Sequence, residues 1–152
     1  MSGESEKKMS SVLLIVAMSQ ENEHFQVVRR FHDAFNHRDV DAMVAVWAED
    51  AEFRPIMSAL DGQVYQGHDG LRAWLDAIFA DWEVFEAYDD EFRDLGDRVL
   101  SFGHWHACGR ASGVVLDVDT AAWLVGVREG KIVSWQTFTD RAEALEAVGL
   151  TE

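Results

Sequence analysis

The sequence predicts an α+β fold in which helices come first and an antiparallel sheet follows. Up to Trp82 the apolar residues recur every three or four positions, and after it they alternate with polar ones. Helices and strands therefore occupy separate stretches, unlike the alternating elements of a doubly wound parallel sheet. The 152 residues, 48% hydrophobic and 11% aromatic, suit one domain with one sizeable core.

Three helices and one strand are predicted in the first half of the chain. The first helix covers about 21–37, where the apolar stripe consists of Phe25, Val28, Phe31 and Phe35. Asp39 can cap a short second helix, and a strand is expected over Ala51–Met57. The third helix is capped near Asp69, and its apolar face consists of Leu71, Trp74, Leu75, Ile78, Phe79 and Trp82.

Four strands and a short helix are predicted in the second half. Alternating apolar residues between turn-like stretches place the strands at Val84–Leu95, Arg98–Arg110, Val114–Arg128 and Lys131–Thr139. Asp140 and Glu143 make a capping box for a final helix, which stops before Gly149.

Charge and composition exclude several classes of partner. With 13 basic and 28 acidic residues, the net charge of −15 makes nonspecific nucleic-acid binding untenable. The longest apolar run near the start, Val12–Met18, is far shorter than the roughly 20 residues that cross a bilayer. We therefore expect no nucleic-acid or membrane partner. We also expect residues 1–20 to form a flexible extension before a single domain over residues 21–150.

The single cysteine, Cys108, excludes an internal disulfide and a zinc site built on paired thiolates. A lone thiol suits a reducing compartment, so a cytoplasmic location is expected.

Three stretches resemble the nuclear-transport-factor-2-like superfamily and, within it, the SnoaL-like proteins. They are VVRRFHDAFNHRDVDAMVAVWAEDAEFRP (27–55), YQGHDGLRAWL (65–75) and GKIVSWQTFTDRAEALEAVGL (130–150). The resemblance spans roughly 21–150. It implies a conical barrel, in which a curved antiparallel or mixed sheet wraps around three N-terminal helices, and usually a dimer through the outer face of the sheet.

The resemblance also implies which residues line the cavity between sheet and helices. The expected ligand-binding residues are Phe31, Phe35, Phe53, Trp74, Ile78, Trp105, Trp123, Trp135 and Thr137. Such a lining suits a flat, apolar small molecule, including a polycyclic one, with no cofactor.

The same match assigns the two faces of the sheet. Asp117, Asp119 and Trp123 are expected inside, and His104 and His106 outside. An exposed apolar patch would then remain on the outer face, formed by Phe102, Leu116, Val118, Leu124 and Phe138. Since a soluble monomer rarely exposes such a patch, a homodimer packed sheet to sheet is expected.

Family positions for steroid isomerisation are occupied here by side chains that cannot perform it. In the ketosteroid isomerases of this superfamily, a phenol and a second hydrogen-bond donor stabilise the oxyanion of the reaction. By the resemblance, Phe31 stands at the position of the phenol and Trp123 at the position of the second donor. The remaining candidates for acid–base catalysis are Asp117 and Asp119, two apart on the predicted inner face, aided by Tyr65 or Thr137. The alternative is that both aspartates are simply solvated.

The histidines are assigned structural places. His104 and His106 have the spacing of a metal-binding pair, but no third ligand is evident, so we predict interface histidines and no metal site. His32 and His37 are expected on or near the polar side of the first helix, in contact with solvent.

Three functions fit these features. The first is a noncatalytic binder of an apolar metabolite, which the missing family residues favour. The second is a cofactor-independent cyclase, isomerase or hydratase using an aspartate, and the third is a protein-interaction module.

Overall fold

The computed structural model describes residues 23–55 and 62–150. Its helices are α1 (23–36), α2 (Val40–Ala45), α3 (Gly67–Asp81) and α4 (Arg141–Ala147). Its strands are β1 (Trp47–Arg54), β2 (Tyr65–Gln66), β3 (Trp82–Asp94), β4 (Arg98–Gly109), β5 (Val115–Arg128) and β6 (Lys131–Phe138). The extension predicted for residues 1–20 lies outside the described residues.

The helix ends follow the predicted caps with one exception. Asp39 accepts a hydrogen bond from the N–H of Ala42 at 3.1 Å, and Asp140 accepts one from Ala142 at 2.9 Å. The cap predicted near Asp69 is wrong, because α3 begins at Gly67 and its N-cap residue makes no side-chain cap hydrogen bond.

The six strands form one curved, mixed sheet in the order β2-β1-β6-β5-β4-β3. Only β1 and β6 pair in parallel, and the other neighbours are antiparallel. The predicted α+β class and the three N-terminal helices are confirmed. Because β2 and β3 remain edges, the sheet is a half-open cone rather than a closed barrel.

The main core lies between the sheet's inner face and helices α1 and α3. It includes Val28 of α1 and Leu71 and Leu75 of α3, all fully buried, packed beside Trp123 and Val125 of β5. The helices therefore bury the apolar stripes that the sequence pattern indicated.

A smaller core lies on the sheet's outer face, under α4. Leu100, Phe102 and Leu124 pack there against Ala144 and Leu145 of α4. The predicted exposed patch is wrong in this region, because the C-terminal helix covers it: Phe102 is only 3% exposed. The C-terminal helix of the same chain therefore covers the part of the outer face through which a sheet-to-sheet dimer is expected.

A bulge in β5 changes which residues face inward. Gly103 of β4 pairs with Ala121 of β5, and Trp105 of β4 pairs with Val118 of β5. Between these two pairs, β4 advances by two residues and β5 by three. The extra residue shifts the alternation of side chains by one. Beyond the bulge, Leu116 and Val118 turn inward, so the expected inward orientation of Asp117 and Asp119 is wrong.

Candidate functional site

A cavity of about 380 Å³ lies between α1, α3 and the inner face of the sheet. All nine residues expected to line it do so, although whether they bind a ligand stays a prediction. The other lining residues are His32, Pro55, Trp82, Phe85, Ala87, Leu116, Val118 and Thr139.

Aromatic rings packed against one another build most of the cavity wall. Phe35 meets Phe85 edge-on at 5.3 Å between ring centroids, and Phe85 stacks on Trp105 at 5.1 Å. On the opposite side, the rings of Trp123 and Trp135 contact the His32 ring at 4.4 and 5.1 Å. Because these rings pack against one another, they cannot rotate into the cavity, which therefore stays open.

Polar groups are few in this lining. Among the described residues that line the cavity there is no Lys, Arg, Asp or Glu. The polar side chains are His32, Thr137 and Thr139. Thr137 accepts a hydrogen bond from the indole N–H of Trp135 at 3.2 Å. In the described part of the chain no acceptor is found for its own hydroxyl proton, which can therefore be donated to a ligand in the cavity.

His32 forms a buried pair with Asp89 at the cavity wall. Its Nδ1 lies 2.7 Å from Oδ2 of Asp89, and the two side chains are 5% and 3% exposed. The hydroxyl of Ser101 donates to the other carboxylate oxygen at 2.5 Å. No hydrogen bond to Nε2 of His32 is found within 23–55 and 62–150. The ring therefore offers that nitrogen to a ligand.

Two opposing influences act on the Asp89 carboxyl. Burial raises the pKa of Asp89, but the charge of His32, the hydrogen bonds from His32 and Ser101 and the charge of Arg29 lower it by more. The pKa therefore lies below its ordinary value of 3.8. Asp89 is an ionised acceptor at neutral pH.

The sequence matches the model of the SnoaL-like domain over residues 28–135. This chain belongs to the SnoaL-like domain family. No curated protein matches the sequence.

Solved structures share the fold of this SnoaL-like domain at low sequence identity. An NTF2-like protein of unknown function from Burkholderia pseudomallei has a TM-score of 0.68 at 22% identity, covering 84% of this chain and 98% of its own. TerC, co-crystallised with polyporic acid, has a TM-score of 0.68 at 20% identity, covering 82% and 96%. A protein with a ketosteroid isomerase-like fold from Catenulispora acidiphila, in complex with trimethylamine, has a TM-score of 0.66 at 18% identity, covering 82% and 93%.

A contact between α1 and the edge strand β3 of this SnoaL-like domain sets the geometry of the His32–Asp89 pair. One helical turn after His32, the amide of Asn36 bonds both the N–H and the carbonyl of Ala87, at 2.8 and 3.0 Å. Ala87 lies two residues before Asp89 on the edge strand β3. The His32–Asp89 and Asn36–Ala87 contacts therefore join α1 to β3 at adjacent positions along both elements. The Asn36 contact fixes the position of α1 along β3, and with it the position of His32 opposite Asp89.

Gly103 lets the neighbouring strand approach closely enough to complete this arrangement. A Cβ at this position would overlap the carbonyl oxygen of Tyr88 and come within 2.9 Å of the Trp123 ring. Since Trp123 contacts His32, any larger residue here would displace the ring that packs on the imidazole.

The residues predicted to be catalytic are not among those that line the cavity. Asp117 is exposed and hydrogen-bonds His106 at 2.6 Å on the outer face. Asp119 is also exposed, beside the bulge. Tyr65 is half-buried and packs against Phe53 at 6.3 Å between ring centroids. Of the sequence's acid–base candidates, only Thr137 lines the cavity.

The outer-face histidines form carboxylate pairs without a third ligand. His104 lies 2.8 Å from Asp90, and His106 pairs with Asp117. Among the described residues, no group of three or more His, Cys, Asp or Glu is arranged to hold a metal ion. Within the same residues, no helix has the length and apolar character to cross a membrane.

Sequence reasoning missed the His32–Asp89 pair, and its placement of His32 in solvent is wrong. One signal was present: His32 follows Val28 by four residues and precedes Phe35 by three, so it lies within the apolar stripe of α1. Asp89 gave no comparable signal, because alternation on an edge strand does not distinguish an inward carboxylate from a solvated one.

Proposed function

We propose that this SnoaL-like protein binds one uncharged, flat, largely apolar small molecule in the cavity between its helices and sheet. The observation that carries the proposal is the lining: rings on several sides, with a few polar groups and no Lys, Arg, Asp or Glu among its described residues. Ring-lined walls favour a planar ligand that can stack on them.

Size and charge narrow the ligand further. A volume of about 380 Å³ is near the lower end of the range of roughly 300–1,000 Å³ that small-molecule sites occupy. Without a Lys or Arg in the described lining, a carboxylate or phosphate would lose its hydration without gaining a permanently charged partner. The net charge of −15 repels anions as well.

Two neighbours with this fold were crystallised with small molecules, TerC with polyporic acid and the Catenulispora acidiphila protein with trimethylamine. They support the use of this fold as a small-molecule site. The homodimer, the cytoplasmic location and the domain boundaries at 21 and 150 stay predictions. Nothing in the described geometry favours the protein-interaction module over the ligand site.

Binding is tested with a matched pair of probes. We expect 2-naphthol, which is flat and uncharged at neutral pH, to bind saturably in isothermal titration calorimetry. The anion 2-naphthoate should bind at least about tenfold more weakly, a difference of about 1.4 kcal/mol, since the described lining offers it no Lys or Arg.

Two variants on neighbouring residues of α3 locate the site. Ile78 lines the cavity, so Ile78→Trp should fill it and weaken 2-naphthol binding by about tenfold or more. Ala77 is exposed and does not line it, so Ala77→Trp should bind as the unmodified protein does. Equal affinities for the two variants, or no saturable binding at all, would contradict the proposal.

A further inference from the structure

A buried histidine–aspartate pair is not needed to bind an apolar ligand. An imidazole and a carboxylate at 5% and 3% exposure have lost most of their hydration, and apolar side chains of similar size would avoid this cost. Such pairs concentrate where a protein needs a polarised group. The His32–Asp89 pair therefore points to a role beyond binding.

We propose that His32, oriented by Asp89, is the general acid–base group of a proton-transfer reaction on the bound ligand. This inference rests on the proposed function, because it needs an uncharged ligand in the same cavity. The substrate class is an uncharged compound with an acidic C–H bond.

The hydrogen-bond pattern assigns each group its role. Asp89 is acceptor-only when ionised, so the proton between the two groups lies on Nδ1 of His32, and in the neutral imidazole the lone pair lies on Nε2. Ser101 occupies the other carboxylate oxygen, which stops Asp89 from turning away. Asp89 and Ser101 are thus positioning residues, and Nε2 is the atom that meets the substrate.

The proton transfer requires no other reactant. Nε2 accepts a proton from carbon, and the electron pair of the broken C–H bond stays on the ligand. The imidazolium, stabilised by the Asp89 carboxylate, then returns the proton to another atom of the same ligand. The apolar walls limit competing water and strengthen the attraction between the imidazolium and Asp89.

Two other His–Asp pairs show that composition alone does not make such a site. His104–Asp90 and His106–Asp117 have similar distances, 2.8 and 2.6 Å, but both histidine side chains are 43% exposed on the outer face. They provide matched controls, because the same chemistry is present there without the cavity.

The test uses 5-nitro-1,2-benzisoxazole, a flat, uncharged carbon acid. When a base removes the proton from its C3, the C–H electron pair completes a nitrile, and the N–O bond breaks to leave a coloured phenolate. The protein should accelerate this ring opening saturably, and 2-naphthol should inhibit it competitively because both molecules need the cavity.

Variants then identify the base. In His32→Gln the side chain can still donate to Asp89 but has no basic nitrogen, so kcat/KM should fall by about 100-fold or more. Affinity for 2-naphthol should stay within about threefold. Asp89→Asn should lower kcat by about tenfold or more with little change in KM, because the imidazole loses its orientation. His104→Gln should leave both measurements unchanged.

Each outcome separates the two proposals. If 2-naphthol binds but His32→Gln reacts as fast as the unmodified protein, the acid–base role is overturned and binding stands. If 2-naphthol does not bind, the proposed function fails first. Should His32→Gln not fold, the unmodified protein still decides: acceleration that saturating 2-naphthol leaves intact would come from surface histidines and would overturn the role.

Discussion

At the scale of single residues, the imidazole of His32 is the one titratable side chain among the described residues that line the cavity. His32 is surrounded by Phe31, Trp123 and Trp135, and its hydrogen-bond partner is Asp89. Because rings surround the pair, little water screens the interaction between its members. A change in the protonation of Asp89 should therefore be visible in the stability of the whole protein.

The pH dependence of stability has a defined sign. The pKa of Asp89 is lowered in the folded state, so its ionised form stabilises the fold at every pH above the unfolded-state value near 3.8. This contribution should disappear as the pH falls from that value through the lower folded-state pKa. The measurement is urea unfolding from neutral to acidic pH for the unmodified protein and Asp89→Asn.

The difference in unfolding free energy between these two proteins should shrink as the pH falls below the unfolded-state value near 3.8. Asp90→Asn is the control, because Asp90 lies next in sequence but pairs with His104 on the exposed outer face. A difference for Asp89→Asn that stays constant down to the lowest accessible pH would contradict the lowered pKa.

At the scale of elements, the contact between α1 and the edge strand β3 keeps His32 next to Asp89. Asn36 bonds the backbone of Ala87 much as a neighbouring strand would, and so occupies part of an otherwise unpaired edge. Arg38, just after α1, donates to the carbonyls of Trp82 and Glu83 at the start of the same strand. Strand β3 is thus fastened to α1 at two places along its length.

Removing the Asn36 amide should loosen this edge. Asn36→Leu keeps the branch at Cγ but leaves the N–H and carbonyl of Ala87 without their partner, at a cost of about 1–3 kcal/mol. Amide hydrogen exchange at Ala87 should accelerate, and kcat on the benzisoxazole should fall with the loss of alignment. The control is Arg30→Ala, at an exposed position of α1, which should change neither the exchange rate nor kcat. An unchanged exchange rate at Ala87 in Asn36→Leu would refute a stabilising role for the contact between Asn36 and Ala87.

Sequence patterns predicted most elements because their determinants are local. Caps at Asp39 and Asp140, and the switch of period after Trp82, depend on residues within a few positions of one another. The orientation of Asp117 was not accessible in this way. It depends on one extra residue in β5 relative to β4, and such a bulge is a property of the pairing between strands.

At the scale of the whole molecule, the C-terminal helix changes what the sheet presents to solvent. Leu145 is 2% exposed against the outer face, and Arg141 lies over the Phe102 ring at 3.9 Å. This face is thus occupied by the chain's own helix at one end of the strands. Towards the other end it carries the polar pairs of His104 and His106.

The homodimer expected from the family resemblance is tested directly. Light scattering on a size-exclusion column should give a species of about twice 17.2 kDa. If the outer face is the interface, His106→Glu should yield the monomer, because it places an added carboxylate beside Asp117. A single 17.2 kDa species for the unmodified protein would refute the dimer.

The sequence by itself determined most of the order of helices and strands, because periodicity and local motifs encode which face of each element is apolar. Its resemblance to the family added the ring-lined walls of the cavity. Only the tertiary structure decided the polar centre. His32 and Asp89 are 57 residues apart, and their contact exists because α1 packs on the edge of the sheet at one height. The bulge in β5 likewise turned Asp117 outward, since strand register is set by pairing and not by alternation along one strand.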